Sequence, residues 1–202
     1  MTEPDREPAP GPTITGLAPG YPIRTDRLLL RPWHPDELDA FHGLRGDPEV
    51  ARYLYNAPLT RAESEARLAL QRSVITETGQ WMNLVVEVAD TGEVAGDVGL
   101  CWLSAVDRAV EVGYTFVPAY HGRGYATEAA GAMVDLAFTD LGAHRVLGHL
   151  DARNTASAAV LERLGMRREA HFVENEWVKG EWTDDVVYAI LATEWAARRA
   201  TA

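Results

Sequence analysis

The stretch E-V-G-Y-T-F-V-P-A-Y-H-G-R-G-Y-A-T-E-A-A, from Glu111 to Ala130, changes from a strand pattern to a helix pattern around two glycines. Apolar residues alternate with other residues from Val110 to Phe116, which predicts a strand. Pro118 ends this strand because proline has no N–H for a ladder hydrogen bond. After a tight turn at residues 121–126, apolar side chains recur at the spacing of one helix face. The stretch therefore predicts a strand, a glycine turn and a helix.

The glycine turn has the features of a phosphate-binding site. Gly122 and Gly124 allow the backbone to approach a ligand, and the first turn of a helix offers unpaired N–H groups and a partial positive charge. The spacing matches neither G-x-G-x-x-G nor G-x-x-x-x-G-K-[ST], which argues against a dinucleotide fold and a Walker loop. A plain tight turn without a ligand is the alternative interpretation.

Length and composition favour one folded domain. The chain has 202 residues, of which 47% are hydrophobic, enough to bury a substantial core. Residues 1–20 are rich in proline and glycine and are predicted to be a disordered tail. Residues 21–202 are then the single domain.

The acidic composition restricts the partners that we expect. A net charge of −11 repels a nucleic-acid backbone, so no nucleic-acid partner is expected. The same charge favours a cationic partner, such as an amine or a basic protein, although it also suits a merely soluble surface.

Other features favour the cytoplasm and argue against a membrane or a metal. Cys101 is the single cysteine, which fits a reducing compartment, and its apolar neighbours indicate a buried, inert thiol. The sequence has no long apolar run and no basic-then-apolar leader. His34 and His42 lack a second ligand at metal spacing, so no metal site is predicted.

The order of the predicted elements indicates an α+β fold. Strand patterns at residues 81–89, 94–103 and 110–116 are joined by short turns, which predicts an antiparallel meander. The strand at residues 144–150 follows a crossover helix, so we expect it to lie parallel to the central strand and to leave a place for a ligand. The prediction is a mixed sheet of about seven strands with helices on both faces. The remaining elements are strands at residues 24–33, 166–177 and 185–191 and helices at residues 36–45, 60–78 and 155–164.

Three motifs resemble the GNAT superfamily of N-acetyltransferases. They are R-T-D-R-L-L-L-R-P-W from Arg24, the turn H-G-R-G-Y-A with T-E-A-A after it, and D-A-R-N-T-A-S-A-A-V-L-E-R-L-G-M from Asp151. The turn resembles the acetyl-CoA loop [QR]-x-x-G-x-[GA], except that His121 stands in its first position. The loop and the stretch V-K-G-E-W-T-D-D-V-V-Y from Val178 resemble the RimJ/RimL type, the ribosomal-protein alanine acetyltransferases. This resemblance implies the GNAT fold and acetyl-CoA-dependent N-acetyltransferase activity.

The resemblance also implies a set of residues that bind acetyl-CoA as cosubstrate. The pyrophosphate is expected on the backbone N–H groups of the turn, and the pantetheine arm along the main chain of the central strand. Asn154 matches the family's asparagine that binds the CoA arm, although an asparagine also suits the start of a helix. The implied cofactor-binding residues are Thr115, Phe116, Val117, His121, Gly122, Arg123, Gly124, Tyr125, Ala126, Thr127 and Asn154.

Attack of an amine on the thioester requires a base for the amine and a proton for the leaving thiolate. Glu111 on the central strand and Glu176 near the end of the sixth strand are the candidate bases, and the resemblance favours Glu176. Ser157 is the candidate acid, because Leu161 stands where many family members have a tyrosine. Each of the three also suits an ordinary position on a strand or a helix.

The sequence does not identify the acceptor. It is a primary amine, either a protein N-terminus or a small molecule, and Tyr53 and Tyr55 either line its pocket or serve as packing residues. A resistance acetyltransferase acting on an aminoglycoside-like or peptide-like toxin is a second hypothesis. A CoA-binding regulatory module without turnover is a third, supported by His121 and the missing tyrosine. A homodimer is a further expectation left open.

Overall fold

A mixed sheet of eight strands forms the centre of the computed structural model, which describes residues 16–201. Its order is β1-β2-β3-β4-β5-β6-β8-β7, and of the neighbouring pairs in this described part β5 and β6 alone are parallel. The predicted α+β fold, with a meander and a parallel central pair, is confirmed. The strands are β1 (Ile23–Arg24), β2 (Leu28–Arg31), β3 (Trp81–Val88), β4 (Val94–Ser104), β5 (Ala109–Phe116), β6 (Arg145–Asp151), β7 (Arg167–Val178) and β8 (Glu181–Leu191).

Helices cover both faces of the sheet, as predicted. Alternation along β3 turns Leu84 and Val86 towards one core, which also contains Met133 of the long helix, and Val85 towards another. The second core contains Phe41 of the first helix. The helices are α1 (Leu38–Arg45), α2 (Arg61–Leu68), α3 (Tyr125–Thr139), α4 (Thr155–Arg163) and α5 (Ala192–Arg199). None of those in residues 16–201 is long and apolar enough to cross a membrane.

The start of the chain differs from the prediction in two ways. The first predicted strand is divided into β1 and β2, which form a hairpin, so the sheet has eight strands. Leu17 is 4% exposed and exchanges two backbone hydrogen bonds with Ile75, of 2.8 and 2.9 Å. The packed part of the chain therefore reaches into the predicted tail, whose residues 1–15 lie outside the described residues.

Helix α2 begins as predicted and ends early. Thr60 and Glu63 form a reciprocal capping box at its start. Its predicted end near Thr78 is wrong, because the helix ends at Leu68. Beyond it, Ile75 pairs with Leu17, and the carbonyl of Arg72 accepts from the N–H of Asn83 at 2.9 Å. These partners, remote in sequence, bind the backbone groups that a longer helix would use.

The parallel strands β5 and β6 pair over a short length and then separate. Ala109, Val110 and Glu111 pair with Arg145, Val146 and Leu147. Strand β5 continues to Phe116 along β4, and β6 continues to Asp151 along β8. The parallel pairing is confirmed, and the separation beyond Glu111 opens the centre of the sheet.

Candidate active site

The turn between β5 and α3 presents backbone N–H groups at the end of the central strand. Gly122 has a φ of 73° and Gly124 a φ of 80°, left-handed conformations that glycine adopts without steric cost. Gly124 caps α3, which begins at Tyr125. The Nε2 atom of His121 lies 3.0 Å from the carbonyl oxygen of Phe116, so its ring folds back on the strand end. The predicted glycine turn before a helix is therefore present.

Glu128 in the first turn of α3 joins this turn to the start of the chain. It accepts from the Thr25 hydroxyl at 2.6 Å, from the Arg27 N–H at 2.8 Å and from Arg27 Nε at 2.7 Å. Burial opposes its ionisation, but these donors hold the pKa of Glu128 below its ordinary value. Arg27 also donates to the carbonyl of Arg123 at 3.0 Å. Two of the three sequence motifs therefore meet at the glycine turn.

A cavity of about 640 Å³ lies where β5 and β6 separate. The predicted residues Glu111, Thr115, Asn154, Ser157 and Glu176 all line it. Phe116, Val117 and residues 121–127 belong to the adjoining strand end and turn. The structure thus brings the three predicted catalytic residues to one cavity.

The register of β5 changes which main-chain groups face this opening. Val117 donates its N–H to the carbonyl of Ala95 at 2.9 Å, so this N–H is directed at β4. The direction of the N–H and C=O groups alternates along an antiparallel pair. The main-chain groups of Thr115 therefore also point at β4, whereas those of Tyr114 and Phe116 point at the opening. Of the strand residues predicted to pair with the pantetheine arm, Thr115 and Val117 therefore direct their main-chain groups at β4, and Phe116 directs its groups away from β4. Thr115 instead accepts from Arg45 Nη1 at 3.2 Å through its hydroxyl.

Helix α4 supplies the opposite wall. Asn154 caps the helix, and its Oδ1 accepts from the N–H of Ser157 at 3.0 Å, which leaves its amide NH₂ for a ligand. The Tyr114 hydroxyl donates to the carbonyl of Ser157 at 2.8 Å and ties the helix to β5. A Cβ on Gly148 would lie 2.7 Å from Leu161 Cδ1, so glycine allows the close approach of α4 to β6.

Titratable groups from four strands line the cavity together. The Nδ1 atom of His149 on β6 lies 3.3 Å from Glu111 Oε1 on β5. The hydrogen bond to Glu111 raises the pKa of His149, although burial opposes this. Asp185 on β8 is 6% exposed, and its burial raises the pKa of its carboxyl group. Glu176 on β7 completes the group, which can bind a cation and exchange protons.

Sequence reasoning missed His149 and Asp185 and left two tyrosines undecided. Tyr53 and Tyr55 line the cavity, and Tyr55 lies beside Glu176. Alternation along β6 places His149 on the same face as Leu147. The pairing of Leu147 with Glu111, which the sequence does not give, then brings His149 near Glu111.

No catalytic or metal-binding role is predicted for Cys101, His34 or His42. Cys101 is 5% exposed, and burial raises the pKa of its thiol to about 11, which fits an inert side chain. Within residues 16–201, no three His, Cys, Asp or Glu side chains are placed so that they could hold a metal ion. His42 instead lies 3.0 Å from the Ser64 hydroxyl, and His34 caps a short helical turn.

Comparisons with known proteins agree with this geometry. Residues 27–167 match the acetyltransferase (GNAT) domain family. The chain is 39% identical to the probable N-acetyltransferase YjcK of Bacillus subtilis over 177 residues, which cover 84% of this chain and 96% of that protein. It is 26% identical to the spermidine N(1)-acetyltransferase of Escherichia coli over 174 residues, 86% of this chain and 91% of that protein.

A solved structure shows the same architecture. The GNAT-family acetyltransferase from Bacillus anthracis superposes with a TM-score of 0.76 at 28% identity, over 85% of this chain and 99% of that one. The glycine turn and the separated parallel strands agree with the family match, which covers most of the chain. The chain therefore belongs to the GNAT family and is an acetyltransferase.

Proposed function

We propose that this chain transfers the acetyl group of acetyl-CoA to a primary amine that enters the cavity between β5 and β6. The observation that carries this proposal is the meeting of Glu111, Glu176 and His149 where the two strands separate. A primary amine is an ammonium ion near neutral pH and must lose a proton before it can attack. The cavity supplies carboxylates to hold that ion and groups to receive the proton.

The chain fits acetyl-CoA, the substrate that GNAT acetyltransferases use. The N–H groups from Gly122 to Thr127, with Arg123 beside them, suit the pyrophosphate. The edge groups of Tyr114 and Phe116 suit the amides of the pantetheine arm, and the free amide of Asn154 suits one of its carbonyls. The register of β5 directs the main-chain groups of Tyr114 and Phe116 away from β4, which supports a ligand at this edge.

The reaction is direct attack. The amine nitrogen forms a bond to the carbonyl carbon of the thioester, the C–S bond breaks, and the thiolate takes a proton from Ser157 or from water. Glu176 is the carboxylate that we place against the amine, with Tyr55 beside it. An edge N–H of β5 is suited to polarise the carbonyl, as an oxyanion hole does.

The acceptor that the cavity favours is a small cationic amine. Six carboxylates line the wall, and three of them are paired with Arg45, Arg153 and His171. The other three give the cavity an acidic character that attracts positive charge. The relative from Escherichia coli is named for spermidine, which is an amine of this class. A protein N-terminus is the second candidate, favoured by the RimL-like stretch from Val178, which contributes Thr183 and Asp185 to the wall. The six carboxylates belong to Asp97, Glu111, Asp151, Glu176, Asp184 and Asp185.

A thiol-release assay with acetyl-CoA tests the proposal. The panel holds polyamines, aminoglycosides and peptides with varied N-termini, and mass spectrometry identifies the acetylated nitrogen. We expect release with a small cationic amine and its loss in Glu176→Gln. Release with peptides alone would move the assignment to the second candidate, and no release with any amine would contradict the proposed function.

A further inference from the structure

His149 and Glu111 face each other across the opening, each on a different one of the two separating strands. Their side chains are 30% and 19% exposed, and both line the cavity. We propose that His149 takes the proton from the ammonium group of the acceptor, and that Glu111 holds the imidazole in position for this step. The inference rests on the proposed function and assigns a role within it.

The contact with Glu111 assigns the ring nitrogen that serves. Glu111 Oε1 lies 3.3 Å from Nδ1, and a carboxylate accepts a hydrogen bond, so we assign the hydrogen of the neutral ring to Nδ1. Nε2 then has a lone pair and can accept a proton. His149 thereby resembles a base that a third group orients, whereas Glu111 is a positioning residue.

An imidazole suits this transfer better than the carboxylates around it. An effective base has a pKa near the working pH, and an ordinary carboxylate titrates far below it. Glu176 and Asp185 are then left to hold the ammonium by charge. This division explains why a histidine stands among carboxylates at this point of the cavity.

Three neighbouring strands contribute carboxylates near His149. Glu111 lies on β5, Asp185 on β8 and Glu176 on β7, and all three carboxylates favour the protonated imidazole. Tyr55 and Asp151 also line the cavity, and Cys101 lies near Glu111. A protonated His149 repels the incoming ammonium and cannot accept its proton, so the rate should fall as pH falls through the pKa of His149.

The step balances. The ammonium gives one proton to Nε2, the neutral nitrogen bonds to the carbonyl carbon, and the C–S bond electrons leave with sulfur. The second nitrogen proton goes to the thiolate through Ser157 or water. The proton on His149 then returns to solvent, so the products are the amide, CoA thiol and one released proton.

The test compares His149→Gln with the wild type at saturating acetyl-CoA and amine, measuring kcat against pH. We expect kcat near neutral pH to fall about a hundredfold, and the acidic inflection to disappear. The loss should shrink at high pH and with amines of lower pKa, because these amines lose their proton without help. His144→Gln is the matched control, because His144 is exposed and is not part of the cavity wall.

Acetyl-CoA affinity checks that the variants are folded. Should His149→Gln fail that check, Glu111→Gln gives the second test, because it keeps the imidazole and should move the acidic inflection to lower pH. A wild-type pH profile in His149→Gln, or an equal loss at every pH, would overturn the role of His149 while the transferase proposal stands. A wild type that acetylates no amine would instead overturn the proposed function itself.

Discussion

Arg27 and Glu128 are joined by three hydrogen bonds or ion contacts, from the Arg27 backbone N–H, Nε and Nη2 to the carboxylate at 2.8, 2.7 and 2.6 Å. Arg27 Cζ also lies 4.8 Å from the centre of the Tyr125 ring. The segment before β2 therefore holds the first turn of α3, on which the proposed pyrophosphate site depends.

Glu128→Gln should weaken acetyl-CoA binding. The change removes the charge that Arg27 and Thr25 contact, and with it the constraint on the turn at Gly124. We expect KM for acetyl-CoA to rise about tenfold and the free energy of unfolding to fall by about 2 kcal/mol, since hydrogen bonds to a charged group are lost. Steady-state kinetics and urea denaturation measure the two effects. Glu65→Gln, an exposed change on α2, is the control, and an unchanged KM in Glu128→Gln would contradict this role.

Gly124→Ala and Gly92→Ala separate backbone strain from ligand binding. Gly92 has a φ of 72° in the hairpin between β3 and β4, close to the 80° of Gly124. Both variants should lose about 1 kcal/mol of stability, because alanine disfavours this conformation. Gly124→Ala alone should also lose affinity for CoA, measured by calorimetry. Equal affinities in the two variants would contradict a phosphate site at the turn.

Asn154 allows helix capping to be separated from ligand binding. Asn154→Ala removes the cap on the Ser157 N–H and should cost about 1 kcal/mol of stability together with CoA affinity. Asn154→Asp keeps a capping oxygen and removes the amide donor, so it should lose affinity with little change in thermal stability. If Asn154→Asp binds CoA as the wild type does, the residue is a cap and not a ligand contact.

The raised pKa of His149 predicts a pH dependence of stability. A group whose pKa rises on folding binds its proton more tightly in the folded chain, so its contribution is complete below its ordinary pKa of 6.5. The contribution is lost as pH rises through the raised value. The Tm difference between wild type and His149→Gln should therefore be largest below pH 6.5 and shrink as pH rises through the raised pKa of His149. A difference that stays constant or grows over this range would contradict the raised pKa.

Local signals predicted the parts of the fold that local chemistry determines. The capping box at Thr60, the glycine turn and the parallel strand after a crossover helix all depend on residues close in sequence. The end of α2 was not predictable in this way, because it depends on the pairing of Ile75 with Leu17.

The candidate site also contains residues that the sequence indicates and residues that only the pairing of remote strands brings in. Its place on the central strand made Glu111 a candidate, the family resemblance made Ser157 and Glu176 candidates, and all three line one cavity. His149 required the register of β5 against β6, because its partner Glu111 lies on another strand. The direction of the Thr115 and Val117 main chain required the register of β5 against β4.

The most direct test of a catalytic centre at the opening is the double variant Glu111→Gln/Glu176→Gln, assayed for thiol release and titrated with acetyl-CoA in the same preparation. We expect turnover of the wild-type acceptor to fall by two or more orders of magnitude, because the variant loses the carboxylate that holds the ammonium and the one that positions His149. Acetyl-CoA affinity should stay unchanged, because the turn and Asn154 are intact. Turnover retained in the double variant, with acetyl-CoA still bound, would contradict the claim that these carboxylates form the active site.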